Sequence, residues 1–395
     1  MAIQKLDPST RHPFYKDHAT KVRTCYDAFN GAVRTPEYVK PLSEQDQPGY
    51  EAYVSRPFYL NATERTVQGL IGTLLRTPPE LSGPEPRVEG SLSFDALVQD
   101  QVMDVSLGGR ILITVDVEED GLPYLTYYPS QNIINWSDDF VMLESNRLVS
   151  SEQNPYDLIE ETYWKELFID EAGFHAARYW TKDGNNFVST DPVRLTVRGA
   201  PVPGLQVWWV TPYDNTAILY SPPVRSVAEL NVAHFRLSCD HYNGLHFLAV
   251  PTLFAQGDLQ PDAMGNVTQK VVLGSTTQAA YFTAGGGLQF AEFSGSGLGA
   301  IAEEKSRIEE LLTQYGARLI SPKAGVETAE AVRLRAVAET SILETFTTAL
   351  ETGLNAALEL YSLMVGTPIQ VTLNREFIEA PEEQPQAQPT ATATA

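Results

Sequence analysis

Apolar and polar positions alternate along this chain in two rhythms that change several times. From residue 20 to 78 the rhythm is mainly helical. Tyr50, Tyr53, Val54, Phe58 and Tyr59 lead into Asn61–Leu75, where Val67, Leu70, Ile71, Leu74 and Leu75 recur at spacings of three and four. Pro78 and Pro79 stop that helix, and the Pro/Gly-rich stretch 81–90 reads as a connector. Ser93 stands where a helix N-cap belongs. The stripe Phe94, Leu97, Val98, Val102 and Val105 follows it and ends at Gly108–Gly109.

The rhythm then shortens to two. Arg110–Val117 alternates and is β-branched, Gly121 marks a turn, and Tyr124–Tyr128 and Ile133–Trp136 continue in extended style. Short strands are predicted at 141–143, 162–168, 176–181, 193–197 and 207–210, separated by turn signals such as Lys182-Asp183-Gly184-Asn185. Ser221-Pro222-Pro223 predicts a new helix start, and the helix is expected to end near Asn243–Gly244. Strands are predicted after it at 245–253, 267–273, 278–282 and 288–293.

Two long amphipathic helices are predicted next. The first, 299–319, sets Ile301, Ile308, Leu311, Leu312, Tyr315 and Leu319 against Glu303, Glu304, Glu309 and Glu310. The second, about 327–365, carries Ile342, Leu343, Phe346, Leu350, Leu354, Leu358 and Tyr361. It would be a rod of roughly 58 Å, longer than a single compact domain needs, which points to an extended or oligomeric architecture. After a strand-like piece at 371–377, residues 381–395 are rich in Pro, Gln, Thr and Ala and cannot bury enough apolar surface to order themselves.

The 395 residues are 43% hydrophobic and 20% charged, the composition of a folded domain set rather than a disordered chain. No signal peptide or membrane-spanning run is expected. Cys25 and Cys239 are too few and too distant for a disulfide scaffold or a structural zinc site. With 50 acidic against 28 basic residues the net charge is −22, a sign that repels phosphate at long range. Tight nucleic-acid binders carry the opposite balance. A channel wall along which a duplex must slide does not.

Catalytic signatures are lacking: there is no HExxH, P-loop, GxSxG elbow or paired-cysteine motif. Gly295-Ser-Gly297-Leu-Gly299-Ala300 satisfies a GxGxxA pattern between a strand and a helix. Glu303 and Glu304, read as part of the first helical turn, would oppose a pyrophosphate there, so a flexible strand-to-helix turn is preferred. His234, His241 and His246 form a loose cluster, but a metal needs a further ligand and Asp240 lies on another helix face. No catalytic residue, cofactor or metal is therefore expected.

Five stretches carry a resemblance: YEAYVSRPFYLNATERTVQGLIGTLLRTPP (50–79), GGRILITVDVEEDGLPYLTYYPSQNIINW (108–136), SPPVRSVAELNVAHFRLSCDHYNGLHFLAVPTL (221–253), EFSGSGLGAIAEEKSRIEELLTQYGARL (292–319) and ETAEAVRLRAVAE (327–339). In content and order these resemble tailed-phage portal proteins, in the branch that carries the domain of unknown function DUF4055. The resemblance implies an α+β portal fold: a wing built from both halves of the chain, a two-helix stem, a β-rich clip and a long C-terminal wing helix. By position it implies a wing part at 1–92, a first stem helix at 93–109, clip and adjoining β region at 110–220, and a second stem helix at 221–243. The wing would resume at 244–319, with a tunnel loop at 320–326, a long wing helix at 327–366, and a short strand and tail at 367–395. Many relatives continue into a helical crown; here a crown is expected to be reduced or absent.

The same resemblance implies a homo-oligomeric ring of about a dozen copies, a dodecamer. It would sit at one capsid vertex of the virion, after assembly in the host cytoplasm, and pass double-stranded DNA without sequence specificity. Partners would be the terminase large subunit, a head-completion or adaptor protein, and the major capsid or scaffold protein; no membrane is involved. Lys323, with Arg318 and Ser321, is the expected DNA contact of the tunnel loop. Two other readings are a nucleotide-binding enzyme using Gly295–Ala300 and a capsid or tail adaptor without a tunnel.

Overall fold

The computed structural model describes residues 6–118, 121–151, 154–249, 252–256, 287–291, 295–320, 329–375 and 377. The strands predicted at 267–273 and 278–282, residues 321–328 and the tail 381–395 lie outside these. The chain divides into two compact units. Unit 1 comprises 1–32, 61–231 and 312–395, and unit 2 comprises 33–60 and 232–311.

Three helices open the chain: α1 (Tyr15–Asn30), α2 (Gln47–Ser55) and α3 (Ala62–Leu74). At α2 and α3 the N-cap side chains Asp46 and Asn61 accept the backbone N–H groups of Gly49 and Glu64. A short strand β1 (Glu80–Leu81) follows, then α4 (Phe94–Gly108). Ser93 Oγ accepts the Ala96 N–H at 3.2 Å, and Gly109 closes the helix in the left-handed region, φ 74°. A Cβ at Gly109 would also collide with the Tyr220 carbonyl, so both backbone angle and close approach demand glycine.

Next come β2 (Ile111–Val117), β3 (Pro123–Pro129), β4 (Ile133–Trp136), β5 (Phe140–Ser150), β6 (Leu158–Ile169), β7 (His175–Asp183) and β8 (Asn186–Ser189). The short strands β9 (Val193–Arg194), β10 (Thr196–Val197), β11 (Ala200–Pro201) and β12 (Trp208–Val210) complete this run. All pair antiparallel. One sheet has the order β12-β2-β3, and a six-stranded sheet runs β4-β5-β6-β7-β8 with β9 also on β7.

Period-two alternation puts the two faces of β2 into two cores. Ile111, Ile113 and Val115 meet α4 through Leu97, Val98, Val102 and Val105, and α7 (Ala329–Val365) through Leu350, Leu354 and Leu358. Leu112, on the other face, packs with Ile133, Val141, Leu143 and Leu167 of the larger sheet. α7 approaches β12 so closely that a Cβ at Gly353 would collide with Val210. Of the predicted α7 stripe, Leu343, Phe346, Leu350, Leu354, Leu358 and Tyr361 are buried, whereas Ile342 is 55% exposed. Ile342 sits one residue out of a 3.6-residue register that already runs through Leu343 and Phe346. The segment after α7 returns as β15 (Val371–Thr372), antiparallel to β1.

Unit 2 contains α2, most of α5 (Arg225–Ala249), the antiparallel pair β13 (Thr252–Gln256) and β14 (Gly287–Ala291), and the start of α6 (Leu298–Ile320). Here the expectation of a helix end at Asn243–Gly244 and a strand over 245–253 is corrected: α5 continues to Ala249 and the strand begins at Thr252. Gly244 is not a cap. A Cβ there would meet Leu298 Cδ2 at 2.5 Å, so the glycine lets α6 pack against the helix interior. Along the same helix pair His234 Nε2 lies 2.9 Å from Glu309 Oε1, and the Lys305 ammonium sits 5.8 Å from the Tyr242 ring centre.

Candidate functional site

Arg318 lies in the last turn of α6, while Ser321 and Lys323 fall outside the described residues. The acidic face of α6 is partly compensated: Glu304 forms a 2.6 Å ion pair with Arg307 one turn on, and Glu309 faces His234. Arg307 holds the Glu304 carboxyl below its ordinary range.

The GxGxxA turn precedes α6 directly, with Gly295 at φ 67°. α6 begins at Leu298, so Glu303 and Glu304 stand in its second turn, one turn later than the sequence suggested. A Cβ at Gly297 or Gly299 would meet nothing within 4 Å, so neither glycine serves a close approach to other protein atoms. In the histidine cluster, His234 is engaged by Glu309 and Asp240 accepts the Tyr53 hydroxyl at 2.5 Å. Among the described residues no group of three His, Cys, Asp or Glu side chains could hold a metal. Burial pushes the Cys25 and Cys239 thiols up to about 12, which leaves them protonated packing groups.

The most unusual electrostatics of unit 1 lie at Arg110, which the sequence pattern offered only as the first residue of a strand. Its side chain is fully buried. The guanidinium stacks 3.9 Å from the Trp136 ring centre and 4.7 Å from that of Trp209, and Nη1 donates to the Ala217 carbonyl at 3.0 Å. Among the described residues Nε and Nη2 have no acceptor, and no carboxylate pairs with the group. Burial alone pulls its pKa down to about 9.

Trp136 and Ala217 also line a cavity of about 880 Å³ at the start of α1, together with His12, Phe14, Lys21 and Leu219. His12 stacks on Trp136 with ring centres 3.9 Å apart. His18, 6% exposed, has Nε2 2.8 Å from Ser130 Oγ, and burial with the nearby Arg110 charge pulls its pKa down to about 4. A second cavity of about 410 Å³ is bordered by Asp116, His175, Tyr179 and Arg194. Beside it Lys165, buried between sheets, forms an ion pair with Asp116 and a 3.2 Å hydrogen bond to the Tyr128 hydroxyl. No pattern of spacing announces either site, because each gathers residues far apart in the chain.

Residues 223–363 match the family model described as "Domain of unknown function (DUF4055)". No curated protein matches the sequence. The fold is similar to a chain from the neck of an empty GTA particle computed with C6 symmetry: 13% identity, 81% of this chain and 86% of that one covered, TM-score 0.41. A chain from the neck of a native GTA particle computed with C12 symmetry is 13% identical over 79% of this chain and 80% of that one, TM-score 0.39. An HK97 family phage portal protein from Corynebacterium diphtheriae is 11% identical, with 80% of this chain and 92% of that one covered and a TM-score of 0.37. Over residues 223–363 the chain is thus similar to the family described as DUF4055.

Proposed function

We propose that this chain is a portal subunit. About a dozen copies would close a ring at one capsid vertex, a conduit for double-stranded DNA and a platform for the terminase large subunit and a head-completion protein. The observation that carries this is the element order inside the family-matched segment 223–363: a 25-residue helix, a β-strand pair, a 23-residue helix and then a 37-residue helix. By position the resemblance makes these the second stem helix, the returning wing part and the long wing helix.

On this reading α4 would be the first stem helix and α5 the second, the clip would lie in 110–220, and β13–β14 with α6 would belong to the returning wing part.

The subunit itself would do no covalent chemistry. A wall with a net charge of −22 per chain forms no deep electrostatic well for a duplex, and a few loop cations would supply brief phosphate contacts. Negative-stain microscopy and native mass measurement of the purified protein test the ring. Closed rings with a central hole support it, and a protein that stays monomeric at every concentration and salt refutes it. Lys323→Glu is expected to leave rings intact and lower packaged DNA at least about tenfold; normal packaging would remove the loop assignment.

A further inference from the structure

The cavity of about 410 Å³ in unit 1 has an unmet hydrogen-bond donor and an unmet acceptor in its wall, brought there by β7 and β2, strands of two different sheets. The donor is His175, a residue only 3% exposed. The Gln206 backbone N–H donates to its Nδ1 at 3.1 Å, so that nitrogen carries no proton. Burial holds the pKa of the ring down to about 4, so the imidazole is neutral near neutral pH and its one proton stands on Nε2. Among the described residues that N–H meets no acceptor. The acceptor is Asp116. Its Oδ2 takes Lys165, while Oδ1 has no partner among the described residues. The Asp116 charge acts on the His175 ring, yet the two side chains form no hydrogen bond with each other.

The ions of this wall are already matched. Asp116 is neutralised by Lys165, and Arg194 is paired with Asp170. A charged ligand would lose its hydration and find no free counter-charge. Ala177, Leu195 and Met364 give the wall an apolar side, and Val117 and Val193 are 40% and 70% exposed at its border. A single water could meet both polar groups, but it takes up only about 30 Å³. The cavity falls instead in the size range of sites for small organic molecules.

We infer that this cavity binds a small uncharged molecule that carries an amide edge, N–H beside C=O, on a compact apolar body. The amide oxygen accepts from His175 Nε2, the amide N–H donates to Asp116 Oδ1, and the body lies against Ala177, Leu195 and Met364. Both polar groups of the wall are then satisfied at once, which no ligand with only an acceptor achieves. The inference does not rest on the ring, since every residue it uses belongs to unit 1 of one copy.

The test titrates ε-caprolactam into the full-length protein, by calorimetry and by thermal melting. Saturable binding with Kd of about 1 mM or below is expected. N-methylcaprolactam keeps the body and the oxygen but lacks the N–H, and should bind at least about tenfold more weakly. Cyclohexanecarboxylate, a charged molecule of similar size, should also be at least about tenfold weaker. His175→Asn keeps an oxygen for the Gln206 N–H but loses the reach of Nε2, and should weaken caprolactam about tenfold. The inference is overturned by no saturation at about 20 mM, or by N-methylcaprolactam or cyclohexanecarboxylate binding as tightly as caprolactam. Unchanged binding by folded His175→Asn overturns it too. The ligand series uses the unaltered protein, so it decides the matter even where His175→Asn fails to fold.

Discussion

Among its described residues unit 1 buries two cations, and it treats them in opposite ways. Lys165, with a side chain 3% exposed, meets Asp116 and the Tyr128 hydroxyl. Burial by itself would strip its proton, yet Asp116 and the surrounding tyrosines hold the ammonium well above its ordinary pKa. Arg110 is as deeply buried but has only two indole faces and one backbone carbonyl, and burial pulls it down. A carboxylate at contact distance turns burial into a locked charge, whereas aromatic faces leave a charge still looking for a partner. The first arrangement fixes how two sheets meet. The second lies behind Trp136 and Ala217, which line a cavity.

The largest effect that could break this contrast is at Asp116. Asp116→Ala leaves Lys165 buried and unpaired and should cost about 3–5 kcal/mol in urea unfolding, while Asp116→Leu with Lys165→Met should restore most of it. If Asp116→Ala is nearly silent, Lys165 is not the locked charge described.

A histidine in each region gives the next effect. His18 near Arg110 and His175 near Asp116 are both depressed to about 4, by burial first, so below pH 6.5 the unfolded chain binds protons that the folded chain refuses. Stability is therefore whole above about pH 6.5 and falls toward pH 4, by on the order of 3 kcal/mol for each histidine. Urea melts between pH 7 and 4.5 check this, and His18→Gln or His175→Gln should each flatten the slope by one share.

The smallest effect is expected at Arg110. Arg110→Met loses stacking on Trp136 and Trp209 but also removes an uncompensated charge, so the net change should stay below about 2 kcal/mol. A loss equal to that of Asp116→Ala would mean that Arg110 has compensation like that of Lys165, and the two regions would no longer differ.

Much of the fold was legible because it rests on local signals. Ser93, the Gly108–Gly109 pair and the stripe between them bound α4 to within a residue, and the strands from 111 to 210 follow alternation and turn chemistry. Gly244 misled for a physical reason: glycine ends helices and also admits close neighbours, and only Leu298, more than fifty residues on, decides between the two. The candidate site was less legible. Lys323 and Ser321 lie outside the described residues, and Arg110 looked like any strand-initial residue.

By itself the sequence determined the element types, the division into a β-rich middle and a helical end, and the resemblance that points to a portal. Those depend on neighbours within a few positions, or on the order of motifs. Only the tertiary structure decided which charges are buried, which of them find an opposite charge, and which border a cavity. Desolvation and pairing arise from residues brought together across tens of positions or more, as Lys165 is with Asp116 and Arg110 with Ala217.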